Sequence, residues 1–407
     1  MEILKKVFKQ TAWQLIGKVA SSISTLIILG LVSRYYGKAG IGEFSLALTY
    51  LSFFYLASDL GLNSYLLPRL KTDLSEVNKL INFRFSFSLF LVVVANLGVF
   101  LMPFKNSNFN LAVFLGSLTI IASSLITSAN LIFQKYLSYE NATIASSVGS
   151  LAVIPLMVLL VFFNLPIGFL ILAPLFGLTI NCLIALSLVK KFFTLDMEDP
   201  DLKYSFNLLK SAWPISLTLI LNTLYFRVDS FILSSSKSFT EVGIYNLAYS
   251  FFQTALVLPT FIMNGYFPLL LNFLEKGKSS FFIQIKNAGL LLFLISILGI
   301  VLTFGLGPIL INLISGNNFS ESAHALNLLS LGFPAYFLSS LLMWTLLALK
   351  KYYHLALIYF IGLVANLALN LIFIPKYSYI AASLNTGISE YLILLLLALT
   401  LYKIIKS

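Results

Sequence analysis

Apolar runs of about 20 residues recur along the whole chain, and they constrain its fold more than any other feature. A helix of roughly 20 apolar residues is long enough to cross the hydrocarbon core of a bilayer. Polar, proline and glycine residues separate about twelve such runs, at 12–33, 42–66, 82–103, 109–133, 142–163, 167–189, 211–234, 243–270, 287–314, 323–348, 353–374 and 379–402. The sequence therefore predicts an all-α polytopic membrane protein with about 12 transmembrane helices.

The composition agrees with this class and leaves little material for catalysis. Hydrophobic residues make up 59% of the chain and charged residues 10%, against about 25% charged in soluble domains. The mean hydropathy is +0.95. The chain has one cysteine and two histidines, so a disulfide framework, a metal site or nucleophilic catalysis is not expected. We predict a transporter rather than an enzyme, with no cofactor and no bound metal.

Lysine and arginine indicate the orientation in the membrane. With the N-terminus inside, most of them fall in cytoplasmic segments, as the positive-inside rule requires. The outer segments hold Arg34, Lys38, Lys105, Lys237 and Lys376. We therefore expect a bacterial cytoplasmic (inner) membrane protein with both termini cytoplasmic. The net charge of +11 reflects this topology, and no nucleic-acid partner is expected. The N-terminal residues 1–10 lead into a full-length run without a signal-peptide cleavage site.

A polar stretch divides the chain into two similar halves. We predict an N-terminal lobe at 1–189, a cytoplasmic linker at 190–210 and a C-terminal lobe at 211–407. Short strings recur between the halves: Ala-Trp opens the first and seventh runs, and a Gly-x-[Phe/Tyr]-x-Leu-Ala string opens the second and eighth. Six spans in each half predict two pseudo-symmetric six-helix lobes around a central cavity.

A few charged residues lie inside the predicted spans, where each is costly and is a default functional candidate. They are Lys18, Asp59, Arg84, Arg227, Asp229 and Glu390. Arg227 and Asp229 are two residues apart, so they lie on different faces of a helix and cannot pair well. Each needs another partner, on a neighbouring helix or in a water-filled cavity. Alternatively, Arg227 snorkels to the headgroups while Asp229 pairs locally.

The remaining intramembrane residues divide by chemistry. Lys18 could reach the inner headgroups or face the cavity, and Arg84, near the start of its run, is expected to be an interfacial anchor. Asp59, Asp229 and Glu390 are the acids suited to reversible protonation or cation binding at depth. Polar amides expected to line the cavity or to make contacts between helices are Asn63, Asn222, Asn366 and Asn370.

Three segments resemble polysaccharide-exporting flippases of the MATE/MOP superfamily. Residues 33–47 resemble that family's first outer loop, where R-Y-x-G precedes G-x-[FY]-x-x-A. Asp59-Leu60-Gly61, with Arg69 ten residues after Asp59, resembles the end of its second helix. Residues 365–390 resemble its eleventh-to-twelfth helix junction, except that Ser378 and Ile380 stand where glycines are usual.

The resemblance implies a flippase for a lipid-linked oligosaccharide such as an O-antigen or capsule repeat unit. Such a protein moves an undecaprenyl-diphosphate-linked sugar from the inner to the outer leaflet by alternating access. Its partners would be membrane lipid, the polyprenyl-diphosphate-linked oligosaccharide and, in the cell, the polysaccharide polymerase and chain-length machinery. The candidates for the diphosphate or headgroup are then Lys18, Arg34, Arg84 and Arg227. The candidates for coupling to H⁺ or Na⁺ are Asp59, Asp229 and Glu390.

Three alternatives stay open at this point. A drug/cation antiporter of the same superfamily would favour acidic cavity residues over basic ones. A lipid II flippase usually has two further helices. A membrane polysaccharide polymerase usually carries a large outer loop with arginines, whereas residues 315–323 are short and contain neither Arg nor Lys.

Overall fold

The computed structural model describes residues 2–67, 75–192, 202–275 and 277–406, and the regular structure in these ranges is helical. The α-helices are α1 Glu2–Asp59, α2 Leu62–Leu66, α3 Ser75–Gly98, α4 Ser107–Gly116, α5 Leu118–Lys135, α6 Tyr139–Phe162, α7 Leu172–Val189, α8 Leu202–Ser236, α9 Phe239–Ala255, α10 Val257–Glu275, α11 Lys278–Ser315, α12 Ser320–Ser330, α13 Phe333–Ala348 and α14 Tyr352–Lys406. Short 3₁₀ turns lie at Val99–Leu101 and Ile167–Ile171. The predicted all-α class is confirmed.

Two of these helices are broken inside, and each break separates two of the predicted runs. In α1 the backbone of Gly37 has φ 67° and ψ −166°. In α14 the backbone of Ser378 has φ 55° and ψ −138°. A positive φ is cheap for glycine and costs other residues roughly 1–2 kcal/mol. Ser378 therefore adopts the conformation expected of the glycine usual at this position, and its Oγ donates a hydrogen bond to Glu241 Oε2 at 2.5 Å.

The apolar helices are long enough to span a membrane. In the described part of the chain, eight helical segments are long and apolar enough to cross a membrane. The pair α12 and α13, bent by 42°, makes a ninth if the two helices form one span. The broken helices α1 and α14 are each counted once in that number. The chain is thus a multi-pass membrane protein, and a total of twelve spans stays a prediction.

Many large apolar side chains are exposed on the helices, as expected where lipid covers the surface. On α11 this exposed series includes Leu290, Leu294, Leu298, Val301 and Ile309. Soluble monomers rarely expose apolar patches of this extent. This face of α11 is suited to lipid contact.

The chain divides into two compact units, residues 1–223 and 224–407. The division falls within α8, later than the predicted linker at 190–210. Part of that linker lies outside the described residues, and its role as a domain boundary stays a prediction.

Each unit has its own packing. In the first, α6 and α7 cross closely at two glycines: a Cβ on Gly149 would lie 2.6 Å from the carbonyl oxygen of Gly177. Cys182, on α7, is buried. In the second, aromatic rings form much of the interior, with Phe252 and Phe333 stacked at a centroid distance of 5.4 Å.

Candidate functional site

Two polar clusters occupy otherwise apolar helices, one in each unit. The first is an ion pair between Arg84 on α3 and Asp59 at the end of α1. Arg84 Nη2 donates to Asp59 Oδ1 at 2.8 Å and to the Asp59 carbonyl oxygen at 3.1 Å. Arg84 is 0% exposed. The expectation that it anchors at the lipid headgroups is therefore wrong, because its guanidinium is enclosed by protein.

Neutral groups complete the surroundings of this ion pair. Arg84 Nη1 donates to Asn63 Oδ1 at 2.9 Å and to Ser128 Oγ at 3.3 Å. The Asn63 amide in turn donates to the Thr127 carbonyl at 2.8 Å. Asn63 thus makes the helix contacts expected of it. A buried charge is tolerated when it is paired and hydrogen-bonded; both terminal nitrogens of Arg84 meet these conditions, while its Nε has no partner among the described residues.

The ion pair lies beside the break between α1 and α2. Leu60 and Gly61 both have positive φ, of 49° and 63°, so nearby carbonyls lose their helical donors. The Leu60 carbonyl instead accepts from Ser216 Oγ of α8 at 2.6 Å. Asp59 and Arg84 thus belong to a junction that closes a helix break. Arg69, which the resemblance associates with this segment, lies outside the described residues.

The second cluster begins with Arg227 and Asp229 on α8. Asp229 is 3% exposed; its Oδ1 accepts from the Ser230 backbone N–H at 2.7 Å, and its Oδ2 accepts from the Tyr245 hydroxyl. Arg227 Nη2 donates to Gln253 Oε1 at 3.1 Å. The expectation that these two residues find separate partners is confirmed.

An aromatic ring lies beside the guanidinium of Arg227. Its guanidinium carbon lies 5.6 Å from the centroid of the Tyr249 ring, within cation–π range. Tyr249 is 1% exposed, and its hydroxyl has no hydrogen-bond partner in the described part of the chain. No carboxylate among the described residues forms an ion pair with Arg227.

Glu390 on α14 is the second buried acid of this unit and is 3% exposed. Its Oε2 accepts from the Tyr225 hydroxyl at 2.8 Å, and its Oε1 accepts from Ser339 Oγ. These donors come from α8 and α13. Glu390, like Asp229, is thus held by neutral donors.

A run of amide hydrogen bonds lies elsewhere on α14. Asn370 Nδ2 donates to Asn366 Oδ1 at 3.0 Å, and Asn385 Nδ2 donates to Asn370 Oδ1 at 3.0 Å. Asn366 Nδ2 also reaches Ser389 Oγ at 3.2 Å. These amides tie the two parts of α14 together across the break at Ser378. The side chain of Asn222 lies outside the described residues.

The tyrosines of the second cluster were not predicted as site residues. Tyr225, Tyr245 and Tyr249 are buried beside the charged groups. One signal could have identified two of them: Tyr245 and Tyr249 are four apart and hence share one helix face. In a hydrophobic run, however, a tyrosine resembles any other large apolar residue.

Two predicted cationic residues of the first unit are exposed. Both lie on α1: Lys18 lies within the first apolar run, and Arg34 directly follows that run. Lys18 makes no side-chain hydrogen bond or ion pair with the described part of the chain. It lies on the same helix face as Gln14, Ser21 and Thr25, which form a polar stripe along α1.

The sequence model of a family described as "Polysaccharide biosynthesis protein" matches residues 7–274. No curated protein sequence matches.

Among solved structures, a lipid II flippase, MurJ, in an inward closed conformation is similar, with a TM-score of 0.77 and 16% identity over 95% of this chain and 87% of that one. An inward-facing multidrug resistance MATE transporter of the MOP superfamily has a TM-score of 0.76 and 14% identity, over 95% and 96%. A eukaryotic MATE transporter has a TM-score of 0.64 and 13% identity, over 98% and 96%. At these identities the matches show the fold.

Proposed function

The chain belongs to the polysaccharide biosynthesis protein family, and from this premise we propose that it flips a polyprenyl-diphosphate-linked oligosaccharide across the bacterial cytoplasmic membrane. The cargo carries an anionic diphosphate, a neutral or charged glycan and a polyprenyl tail. Its headgroup needs a polar, cationic path, while its tail stays in lipid. Transport proceeds by alternating access.

The observation that carries this proposal is the difference between Arg84, which is fully buried, and Arg227, which is partly buried. Arg84 is neutralised by Asp59, whereas Arg227 has an amide oxygen and a tyrosine ring as its partners. A guanidinium without a carboxylate partner, held in an apolar helix, favours an anionic ligand and binds phosphate oxygens in bidentate fashion. Arg227 is therefore the leading diphosphate residue.

Lys18 is the second candidate for binding the diphosphate, because its side chain is exposed and makes no ion pair with the described residues. Arg34, exposed near the opposite end of the same run, serves the headgroup late in the transport cycle. Arg84 contributes through the junction that it stabilises, since using it for substrate would break its ion pair with Asp59.

Asp229 and Glu390 are the proposed coupling acids. Both are buried and receive hydrogen bonds from hydroxyl or backbone donors, with no cation bonded to either in the described chain. Such a carboxylate can take up and release H⁺, or bind Na⁺, without first breaking an ion pair. Asp59 lacks this freedom, because Arg84 is already bonded to it.

A drug/cation antiporter is the second candidate, and the same two acids favour it. Buried carboxylates without counter-ions would also attract a cationic drug. The unpaired Arg227 beside Asp229 argues against a cationic cargo, because it repels positive charge from that part of the helix.

A chromosomal deletion tests the proposal. We expect complete lipid-linked repeat units to accumulate facing the cytoplasm and the surface polysaccharide to disappear. Single units that face outward without being joined would instead indicate a polymerase. If neither pool changes while drug sensitivity and cation flux do, the antiporter is correct. The protein would act in the cell with a polysaccharide polymerase and chain-length machinery, which the deletion leaves intact.

A further inference from the structure

A pocket lies inside the first unit, between α1, α6 and α7. Its volume is about 190 Å³, and it is lined in part by Ser21, Thr25, Ser150 and Asn181. Pockets for drug-sized ligands typically measure about 300–1,000 Å³. The pocket is therefore of a size for one small group rather than for a whole oligosaccharide.

The close crossing of α6 and α7 shapes this pocket. Gly149 and Gly177 both line it, and a Cβ on Gly177 would lie 2.2 Å from Val153 Cγ2. Because glycines lie at the crossing, the two helix backbones approach closely. Ser150 follows Gly149 by one residue and Asn181 follows Gly177 by four, and both line the same pocket.

Two polar groups on the pocket wall have no partner in the described chain. The Asn181 amide makes no hydrogen bond there, and neither does the Ser150 hydroxyl. The amide offers two donors and an acceptor, and the hydroxyl offers a donor and an acceptor. A ligand with both donors and acceptors would satisfy them.

The hydroxyls of α1 contribute acceptors to the same pocket. Ser21, Ser24 and Thr25 donate to backbone carbonyls of Lys18, Ser150 and Ser21, at 2.9, 2.6 and 2.9 Å. Their oxygens keep lone pairs that can accept from a ligand. Apolar walls, Phe44 and Leu48 among them, complete the lining. This combination suits a ring with hydroxyls on its edge and C–H groups on its faces.

Charge is absent from the pocket but lies next to it. None of the described residues that line the pocket is charged. Lys18 precedes Ser21 by three residues on the same helix face, roughly 4.5 Å along the axis. A cationic side chain thus lies next to an uncharged pocket whose mainly apolar wall carries a few polar groups.

We propose that this pocket binds the first sugar of the cargo, while Lys18 holds the adjoining diphosphate. The inference rests on the proposed function and adds the place where the glycan is recognised. A sugar attached directly to a diphosphate places a neutral polyol next to an anion, which complements the uncharged pocket next to the Lys18 ammonium. A lipid chain would leave the Asn181 amide and the Ser150 hydroxyl unsatisfied, which costs free energy in an apolar setting.

Binding of two short-chain ligands to the purified full-length protein tests the proposal. The probes are farnesyl diphosphate and farnesyl-diphospho-N-acetylglucosamine, and titration calorimetry in detergent measures both. We expect the glycosylated probe to bind about tenfold more tightly, the value of one or two hydrogen bonds to buried groups. Asn181→Leu should abolish this difference and leave the affinity for farnesyl diphosphate unchanged.

Three further variants distinguish an effect on sugar binding from an effect on diphosphate binding or on folding. Thr179→Val changes an exposed residue of α7 that bonds to its own helix, and it should bind both probes like wild type. Lys18→Gln should weaken both probes equally. Ser150→Ala provides a second, smaller change in the pocket if Asn181→Leu does not fold.

Each outcome decides one question. If wild type binds both probes equally, or if Asn181→Leu and Ser150→Ala keep the preference for the sugar, the pocket is not a sugar site. If wild type binds neither probe, the proposed function itself fails. If a detergent or phospholipid chain competes with the sugar and Asn181→Leu strengthens that competitor, the pocket is a lipid site and the inference is overturned.

Discussion

The two polar clusters contain the same residue types in opposite arrangements. In the first unit, Arg84 and Asp59 bond to each other, and neutral side chains bond to Arg84. In the second, Arg227 and Asp229 lie two positions apart on one helix and bond to neutral groups instead. A charge that is paired within the protein stabilises the fold, whereas a charge that is held but not paired remains available to ligands and ions. We therefore propose a structural role for the first pair and a functional role for the second.

The largest expected effect follows from breaking the first pair. Asp59→Asn keeps the shape but leaves the Arg84 guanidinium as an uncompensated buried charge, which costs about 3–5 kcal/mol. The melting temperature in detergent should fall sharply. The double variant Asp59→Leu with Arg84→Leu removes both charges and should recover much of this loss. A single variant as stable as wild type would show that the ion pair does not support the junction.

Arg227→Gln should have the converse effect. The Gln side chain can still bond to Gln253, and no buried carboxylate loses an ion-pair partner, so we expect little change in melting temperature. Flipping should fall at least about tenfold, the worth of a charge-assisted hydrogen bond to phosphate. Arg227→Lys, which keeps the positive charge, is the matched variant. Normal flipping by the Gln variant in proteoliposomes would remove Arg227 from the substrate path.

Glu390→Gln tests coupling. The amide can still bond to the Tyr225 and Ser339 hydroxyls, which accept as well as donate, so the fold should be retained. We expect the part of the flipping rate that depends on an imposed H⁺ or Na⁺ gradient to disappear, while gradient-independent exchange continues. Glu275→Gln, at an exposed position near the end of α10, should respond to gradients like wild type. A gradient response that survives in Glu390→Gln would assign coupling elsewhere, with Asp229→Asn as the next variant.

The smallest effect is expected for Tyr245→Phe. It removes the hydroxyl that donates to Asp229 and leaves the ring packed against Tyr249, at a centroid distance of 5.4 Å. Loss of one hydrogen bond to a charged group costs about 1.5–3 kcal/mol in full, and Asp229 keeps its backbone donor. We expect a modest decrease in melting temperature and an altered response to the gradient. An unchanged response would show that Tyr245 only packs.

The features that could be predicted from the sequence are those that depend on local geometry. Helix periodicity was enough to predict that Arg227 and Asp229 do not pair, and run length was enough to predict the all-helical membrane fold. Sequence reasoning could not pair Arg84 with Asp59, because these residues lie 25 positions apart on different helices and only packing brings them together. Candidates chosen by charge alone therefore included both a residue that is ion-paired within the protein, Arg84, and one that is not, Arg227.

Two further features depend on contacts that a single sequence does not encode. The donors to Glu390 are Tyr225 and Ser339, one from each of two other helices, and neither stands out in its run. Ser378 stands where the resemblance has a glycine, yet the serine takes up a glycine-like backbone. Its hydrogen bond to Glu241 offsets part of the cost of the positive φ, and only the tertiary structure shows this contact.

The burial of the chain's one cysteine has a practical consequence. Cys182 is 7% exposed on α7, so hydrophilic maleimide reagents would react with it slowly. A cysteine introduced at an exposed position can then carry a fluorophore or spin label while the native residue stays in place. Pairs of such labels would allow conformational changes of the protein to be followed by resonance-energy transfer or by electron–electron resonance, in an otherwise native sequence.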